Sequence, residues 1–390
     1  MSELSIDAER LVEDALAAVS IPSFTGEEEA MAQWMAERFR ELGLDVQWQQ
    51  VEDGRANVVG VRAGTGGGPT LMFNGHMDTS YSGKEPWLAG VRGFQPDGFV
   101  KEGRIYGLGI SNMKGALVAY LAAVRALGGA PLRGDVMVAA VCGEIEKTQW
   151  GSAQGAQYRG YAAGSRHLVT HGGAADVCIL GEPTEQKVVL AHFGSLWLRL
   201  STTGAFVHTA FAPPVEDNSI VKMRPVLDAV LEWLPHWAEE TGGVATIGAI
   251  AGGFPWRVSR TPHRTDLFLD LRVPPGLDMA EARRKALEFA RGLAVEAEVF
   301  VTAPGAQIES DHPLVAALET SHEQVFGSPP ERDVTRWFSD ASVLTRYGIA
   351  TVNYGTSTGL LDTVDGENLD IDGLVKTAEV YARTARRICE

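Results

Sequence analysis

The chain is poor in cysteine, with only Cys142, Cys178 and Cys389 among 390 residues. The number is odd, the positions are scattered and no CxxC spacing occurs. That excludes a disulfide framework and points to a reducing compartment. Positive charge is also scarce: 34 Lys and Arg stand against 50 Asp and Glu, a formal net charge of −16. Nucleic acid and anionic membrane surfaces are therefore poor candidate partners, and the charge does not identify a substrate. No apolar run is long enough to span a bilayer. The first ten residues are acidic and lack the apolar segment of a signal peptide, so the cytoplasm is the expected location. Internal repeats and low-complexity tracts are missing too. The remainder is ordinary for a globular protein, 45% hydrophobic and 22% charged, at a length that suggests two domains.

What is present is a recurring pattern. Thr70-Leu-Met-Phe73 reads as a short buried strand that runs into Gly75, His76 and Asp78, with Gly75 expected to let the backbone turn tightly. Val136–Val141 is an unbroken apolar run ending in Gly143, Glu144 and Glu146. Asp176–Leu180 is a third, ending in Gly181 and Glu182. Ligands and catalysts collect at the carboxyl edge of an open α/β sheet. One acidic residue at a strand end is usually a solvated cap. Acids or imidazole at three strand ends favour a polar catalytic or metal-binding cleft. An imidazole with a carboxylate two residues on is the usual pairing of a metal ligand and its orienting partner.

Helical spacing covers Ala8 to Val19, and Thr25 with Glu28 forms a capping box for a second helix ending near Gly43. Phe99 to Tyr106 reads as a hairpin, and a glycine-rich bend at 107–112 leads into a helix from Met113 to Leu127. From about Val188 to Ala303 the order becomes β-α-β-β-α-β, the signature of a ferredoxin-like sandwich. The expected fold class is α/β: a mixed-sheet catalytic domain sandwiched by helices, formed by 1–187 and 304–390, with an inserted ferredoxin-like α+β lid domain at 188–303.

Seven short pieces, in order and spacing, resemble the M20 metallopeptidase and deacylase family. They are Gly75-His-Met-Asp78, Gly107–Gly115, Gly143-Glu-Ile-Glu146, Gly181-Glu-Pro-Thr184, Gly204–His208, Asp270-Leu-Arg272 and Ser339-Asp-Ala341. The resemblance implies a hydrolase that cuts an amide-type C–N bond in a small carboxylated substrate. It implies two zinc ions bridged by a carboxylate and a water, and a homodimer formed through the lid. His76 and Glu182 match ligands of one metal, and Asp78 matches the residue that orients that histidine. Glu144 and Glu146 stand where the family has a base and a ligand side by side. Ile145 separates them, which leaves the two roles open between them, with Glu144 as base preferred. His208 matches the lid histidine that supports the oxyanion. Arg257 and Arg260 lie on a lid loop and are candidates to clamp a substrate carboxylate, or else are solvated loop charges.

The departures narrow this picture. Asn112 stands where the family has its bridging aspartate, and a neutral amide is a poor bridge between dications. It remains a weaker ligand or a contact to substrate. Glu367 fits a C-terminal glutamate of the family, which puts Thr363 at the position of the last histidine ligand; Asp362 and Asp365 are the nearby substitutes. One zinc per chain, or none, is the expectation. Three readings follow: an amide hydrolase with an atypical or single-metal site; a metal-independent enzyme using Glu144 or Glu146 and His208 for acid–base chemistry; and a non-catalytic binding protein. Lys114 is a candidate partner for a cleft carboxylate, and Arg272 reads as structural. His167, His171 and His192 are not expected as ligands. Trp337 and Phe338 read as core packing beside the cleft.

Overall fold

The computed structural model describes residues 4–211, 214–356 and 366–390. Asp362, Thr363 and Asp365 lie outside the described residues. The chain divides into two compact units: Met1–Ala191 with Gln307–Val334 and Ser339–Glu390, and His192–Ala306 with Thr335–Phe338.

The first unit is built on a mixed sheet. Its strands include β1 (Asp45–Glu52), β2 (Arg55–Arg62), β3 (Leu71–His76), β4 (Val136–Val141), β5 (Val177–Leu180) and β6 (Val188–His192). They run in the order β1-β2-β4-β3-β5, followed by Ala350–Asn353 and then β6. β3 lies parallel to both β4 and β5, and Ala350–Asn353 lies parallel to β5. These four strands therefore end at one edge, and they are wholly or largely buried, as their unbroken apolar runs require. Register places His76 opposite Val141, and Asn74 opposite Leu180. The segments after β3, β4 and β5 consequently leave the sheet side by side.

Helices α1 (Ala8–Val19), α2 (Glu29–Glu41), α3 (Gly115–Leu127) and α4 (Ala163–Thr170) flank the sheet with Pro313–Phe326 and Ile371–Cys389. Side-chain alternation sorts them by face. A Cβ on Gly60 would meet Phe39 of α2 at 2.7 Å, and one on Gly75 would meet Met113 at 2.6 Å and Leu117 of α3 at 2.9 Å. On the opposite face Asn57 donates to the Gly164 carbonyl of α4 at 2.9 Å. Gly75 is thus a strand residue that allows α3 to pack closely, not the tight turn expected. Among the described residues no helix is long and apolar enough to cross a membrane.

The capping box expected at Thr25 and Glu28 does not form. α2 begins at Glu29 and Glu28 makes no cap bond. Glu28 instead pairs with Arg55 in a two-pronged, fully buried ion pair, Nε to Oε2 at 2.8 Å and Nη2 to Oε1 at 2.6 Å. Arg55 also donates to the Arg159 carbonyl at 2.9 Å, so the pair ties β2 to the loop after β4. Removing one member of such a pair typically costs about 3–5 kcal/mol, because the other charge stays buried. Thr25 is free to do something else, described below.

The second unit has the order β7 (Gly194–Thr203), α5 (Ser219–Thr241), β8 (Val244–Gly252), β9 (Arg264–Val273), α6 (Met279–Arg291) and β10 (Glu296–Ala303). Its antiparallel sheet runs β8-β9-β7-β10, the β-α-β-β-α-β arrangement read from the sequence. Leu196, Leu198 and Leu200 of β7 alternate into a separate core with Leu267, Leu269 and Leu271 of β9 and with Val226 and Val230 of α5.

Candidate functional site

Three of the predicted side chains meet at the edge where β3, β4 and β5 end. Ligand atoms of His76, Glu144 and Glu182 lie within 4.8 Å of one another, and all three residues are buried. His76 Nε2 is 3.8 Å from Glu144 Oε2, 4.0 Å from Glu182 Oε1 and 2.9 Å from Asn112 Oδ1. Its other nitrogen, Nδ1, lies 2.9 Å from the Asp78 carbonyl and 3.5 Å from the Asp78 carboxylate. With Nδ1 held at Asp78, Nε2 faces the cluster.

Asp78 also holds the neighbouring loop. Its Oδ1 accepts from the Glu144 N–H at 3.1 Å, and its Oδ2 accepts from the Ile145 N–H at 3.3 Å and the Thr25 hydroxyl at 2.9 Å. The preceding Gly143 has φ +66°, and a Cβ there would come within 2.3 Å of Arg55. Only glycine suits this turn, which delivers Glu144 inward. Glu146 is half-buried and outside the cluster. Of the two acids, therefore, it is Glu144 that reaches His76 and Glu182.

The electrostatics follow from burial and crowding. Burial opposes charge on Asp78, yet its bond with His76, the His76 charge and the donors at Glu144 and Thr25 bring it down to about 2. Burial works against a charged His76, but the bond to Asp78 and the charges of Glu182 and Glu144 raise it well above its ordinary value. Glu144 is pushed well above the carboxylate range by burial and then by Glu182. Burial, with the charges of Asp340 and Asp78, lifts Glu182 to about 7 against the pull of His76. Both ring nitrogens of His76 face oxygen atoms, an arrangement for a proton or a cation between them.

The donor set fits one divalent cation. Glu182 Oε1 is buried without a hydrogen-bond donor among the described residues. It stands beside a histidine nitrogen, a second carboxylate and an amide oxygen, the nitrogen and oxygen donors that zinc and similar ions take. Among the described residues no second group of three His, Cys, Asp or Glu side chains gathers in this way.

One further expectation, for Lys114, is corrected. Lys114 forms no ion pair with a carboxylate among the described residues; its Nζ donates to the Ala18 and Ile21 carbonyls at 3.0 and 2.6 Å, closing the end of α1. Burial lowers it to about 7. Arg272 bonds Asp270 along β9, as a structural residue would. His208, Arg257 and Arg260 belong to the second unit. There His208 and Arg260 form an isolated antiparallel bridge, and the Arg260 guanidinium lies 5.5 Å from the Phe206 ring centre. Two residues of the first unit were missed. Thr25 was masked by its resemblance to a helix cap. Asp340 stands in the family-like piece Ser339-Asp-Ala341 but was given no role in the site; it is fully buried beside it.

A family model described as Peptidase family M20/M25/M40 matches residues 72–387. The chain is 25% identical over 396 residues to a succinyl-diaminopimelate desuccinylase of Gluconacetobacter diazotrophicus, covering 95% of this chain and 94% of that protein. It is 25% identical over 387 residues to an acetylornithine deacetylase of Vibrio atlanticus, covering 94% of each. The fold is similar to that of the aminopeptidase PepT from Bacillus cereus, with a TM-score of 0.76 and 21% identity, covering 99% of this chain and 100% of that one.

The buried acids set a pH dependence for the metal-free protein. Glu182 and Asp340 sit at about 7 and about 6 in the folded chain, above ordinary values of 4.5 and 3.8. Between those limits the folded state binds more protons than the unfolded state, so stability is lost as pH rises through the window. After chelator treatment, the Tm should fall from about pH 5 to about pH 7, and Glu182→Gln should make the fall shallower. A Tm that climbs through the same interval would contradict the assignment.

Proposed function

The chain belongs to peptidase family M20/M25/M40, and on that premise we propose that it hydrolyses an amide-type C–N bond with one divalent cation per chain, where two are implied by the resemblance. The observation that carries the reading is the buried His76, Glu144 and Glu182 group, with the neutral Asn112 beside it and Glu146 outside it. The relatives are named as a desuccinylase and a deacetylase, which supports a small N-acylated substrate bearing a carboxylate.

His76 Nε2, a Glu182 oxygen and the Asn112 amide oxygen would hold the ion, and zinc is the metal we assign. Such an ion lowers the pKa of its bound water and polarises the scissile carbonyl. Glu144 is then the base. Its burial and the nearby Glu182 raise its proton affinity, which suits it to accept a proton from the attacking water and pass it to the leaving amine. Asp78 keeps His76 in one ring orientation and fixes the backbone at Glu144. From the second unit, His208 is proposed to stabilise the oxyanion, and Arg257 and Arg260 to bind the substrate carboxylate. Three free, buried cysteines agree with a cytoplasmic setting.

We also propose a homodimer through the second unit. β8 is the end strand of its sheet, and Ile250 on it is 57% exposed, as are Ile220 and Leu231 of α5 at 50% and 52%. An unpaired edge with exposed apolar neighbours suits a second copy of the chain. Sedimentation velocity should find a dimer that Ile250→Asp shifts toward monomer; a monomeric wild type would overturn the proposal.

A panel of N-acyl amino acids tests the chemistry. The zinc-loaded enzyme should release amine and carboxylate, chelator should abolish turnover, and Glu144→Gln should lower kcat by about 10²-fold or more with little change in KM. Full activity in chelator would favour metal-independent acid–base catalysis. Full activity of Glu144→Gln would remove the base assignment.

A further inference from the structure

Asp340 is fully buried at the turn before the short helix Ala341–Leu344. Its Oδ2 accepts from the Ser165 hydroxyl of α4 at 2.8 Å, and the Asn74 amide of β3 reaches the same hydroxyl at 3.4 Å. Asn74 stands two residues before His76. The other carboxylate oxygen, Oδ1, has no hydrogen-bond donor among the described residues. Burial of a half-partnered carboxylate is costly. An asparagine would accept the same Ser165 bond at no charge, so the hydrogen bonding alone gives no reason for an acid. What the acid adds is negative charge on the face of β3 that carries His76, since Asn74 and His76, two residues apart on the strand, share that face.

The three proposed ligands carry less negative charge than the ion would carry positive. His76, Glu182 and Asn112 together bring one negative charge to an ion carrying two positive ones, because Asn112 is neutral. We propose that Asp340 is a positioning residue for the cation, supplying from beside the ligands the negative charge that Asn112 does not. The proposal rests on the single-cation reading above. It separates two jobs that one acidic ligand could perform: Asn112 contributes an oxygen, and Asp340 contributes the charge.

Zinc would be titrated against a competing chromophoric chelator into the full-length protein, stripped of metal, as wild type, Asp340→Asn, Asn112→Asp and the double variant. Melting of each stripped protein would be followed in parallel. Asp340→Asn should weaken zinc binding by about 10- to 100-fold, the range seen when groups behind metal ligands are changed. It should also raise the Tm of the stripped protein, since an uncompensated buried charge is gone. Asn112→Asp should recover most of the lost affinity in the Asp340→Asn background. Wild-type affinity in Asp340→Asn would overturn the proposal. So would a lowered or lost melting transition in that variant, or a loss of affinity that Asn112→Asp leaves unrepaired, because each marks a structural tether. A wild type that takes up no zinc would overturn the single-cation reading and this inference together, and only that result touches the former.

Discussion

The carboxylate of Asp78 is the interaction on which the site depends. It is buried, ionised down to about pH 2, and meets four groups: the His76 ring, the N–H groups of Glu144 and Ile145, and the Thr25 hydroxyl. One anion thereby fixes the loop after β4 relative to the end of β3. A buried carboxylate is tolerable only when donors surround it. Here those donors are the backbone and side chains that carry the chemistry, so stabilising Asp78 and positioning the site are one requirement.

Around this anchor the problem is charge. Parallel strands bring their carboxyl ends together, and the loops that follow β3, β4 and β5 place Asp78, Glu144 and Glu182 in one small volume, joined there by Asp340. His76 is the one imidazole in the group. Burial first, and the neighbouring negative charges after it, make Glu144, Glu182 and Asp340 all hold their protons more tightly than usual. On the proposed reading a divalent ion would replace those protons, and the crowding that is costly without it would be the source of the affinity for a cation.

Much of this was legible in the residues. The apolar runs at 136–141 and 177–180 could hardly be anything but buried strands, and acids at their ends marked the edge where His76, Glu144 and Glu182 gather. The change of grammar after 188 gave the β-α-β-β-α-β unit. Local patterns misled where a tertiary partner outbid them. Thr25 and Glu28 have the spacing of a helix cap, but Asp78 and Arg55 claim them. Lys114 sits next to the site in sequence, yet its amine turns to the end of α1. Gly75 looked like a turn because a strand was ending; the need for space under α3 lies in residues 38 and more positions away, Met113 and Leu117. Asp340 lay in a family-like piece, Ser339-Asp-Ala341, but its place beside the site could not be read locally, since Ser165 and Asn74 come from far earlier in the chain.

The central claim is a single cation held by His76 and Glu182 at a site where Asp78 and Asp340 stand behind the ligands. It is tested most directly by counting metal. The purified protein, loaded with zinc and freed of excess, should carry about one ion per chain by elemental mass spectrometry, and His76→Ala should carry none. Two ions per chain, or one that persists in His76→Ala, would contradict the account.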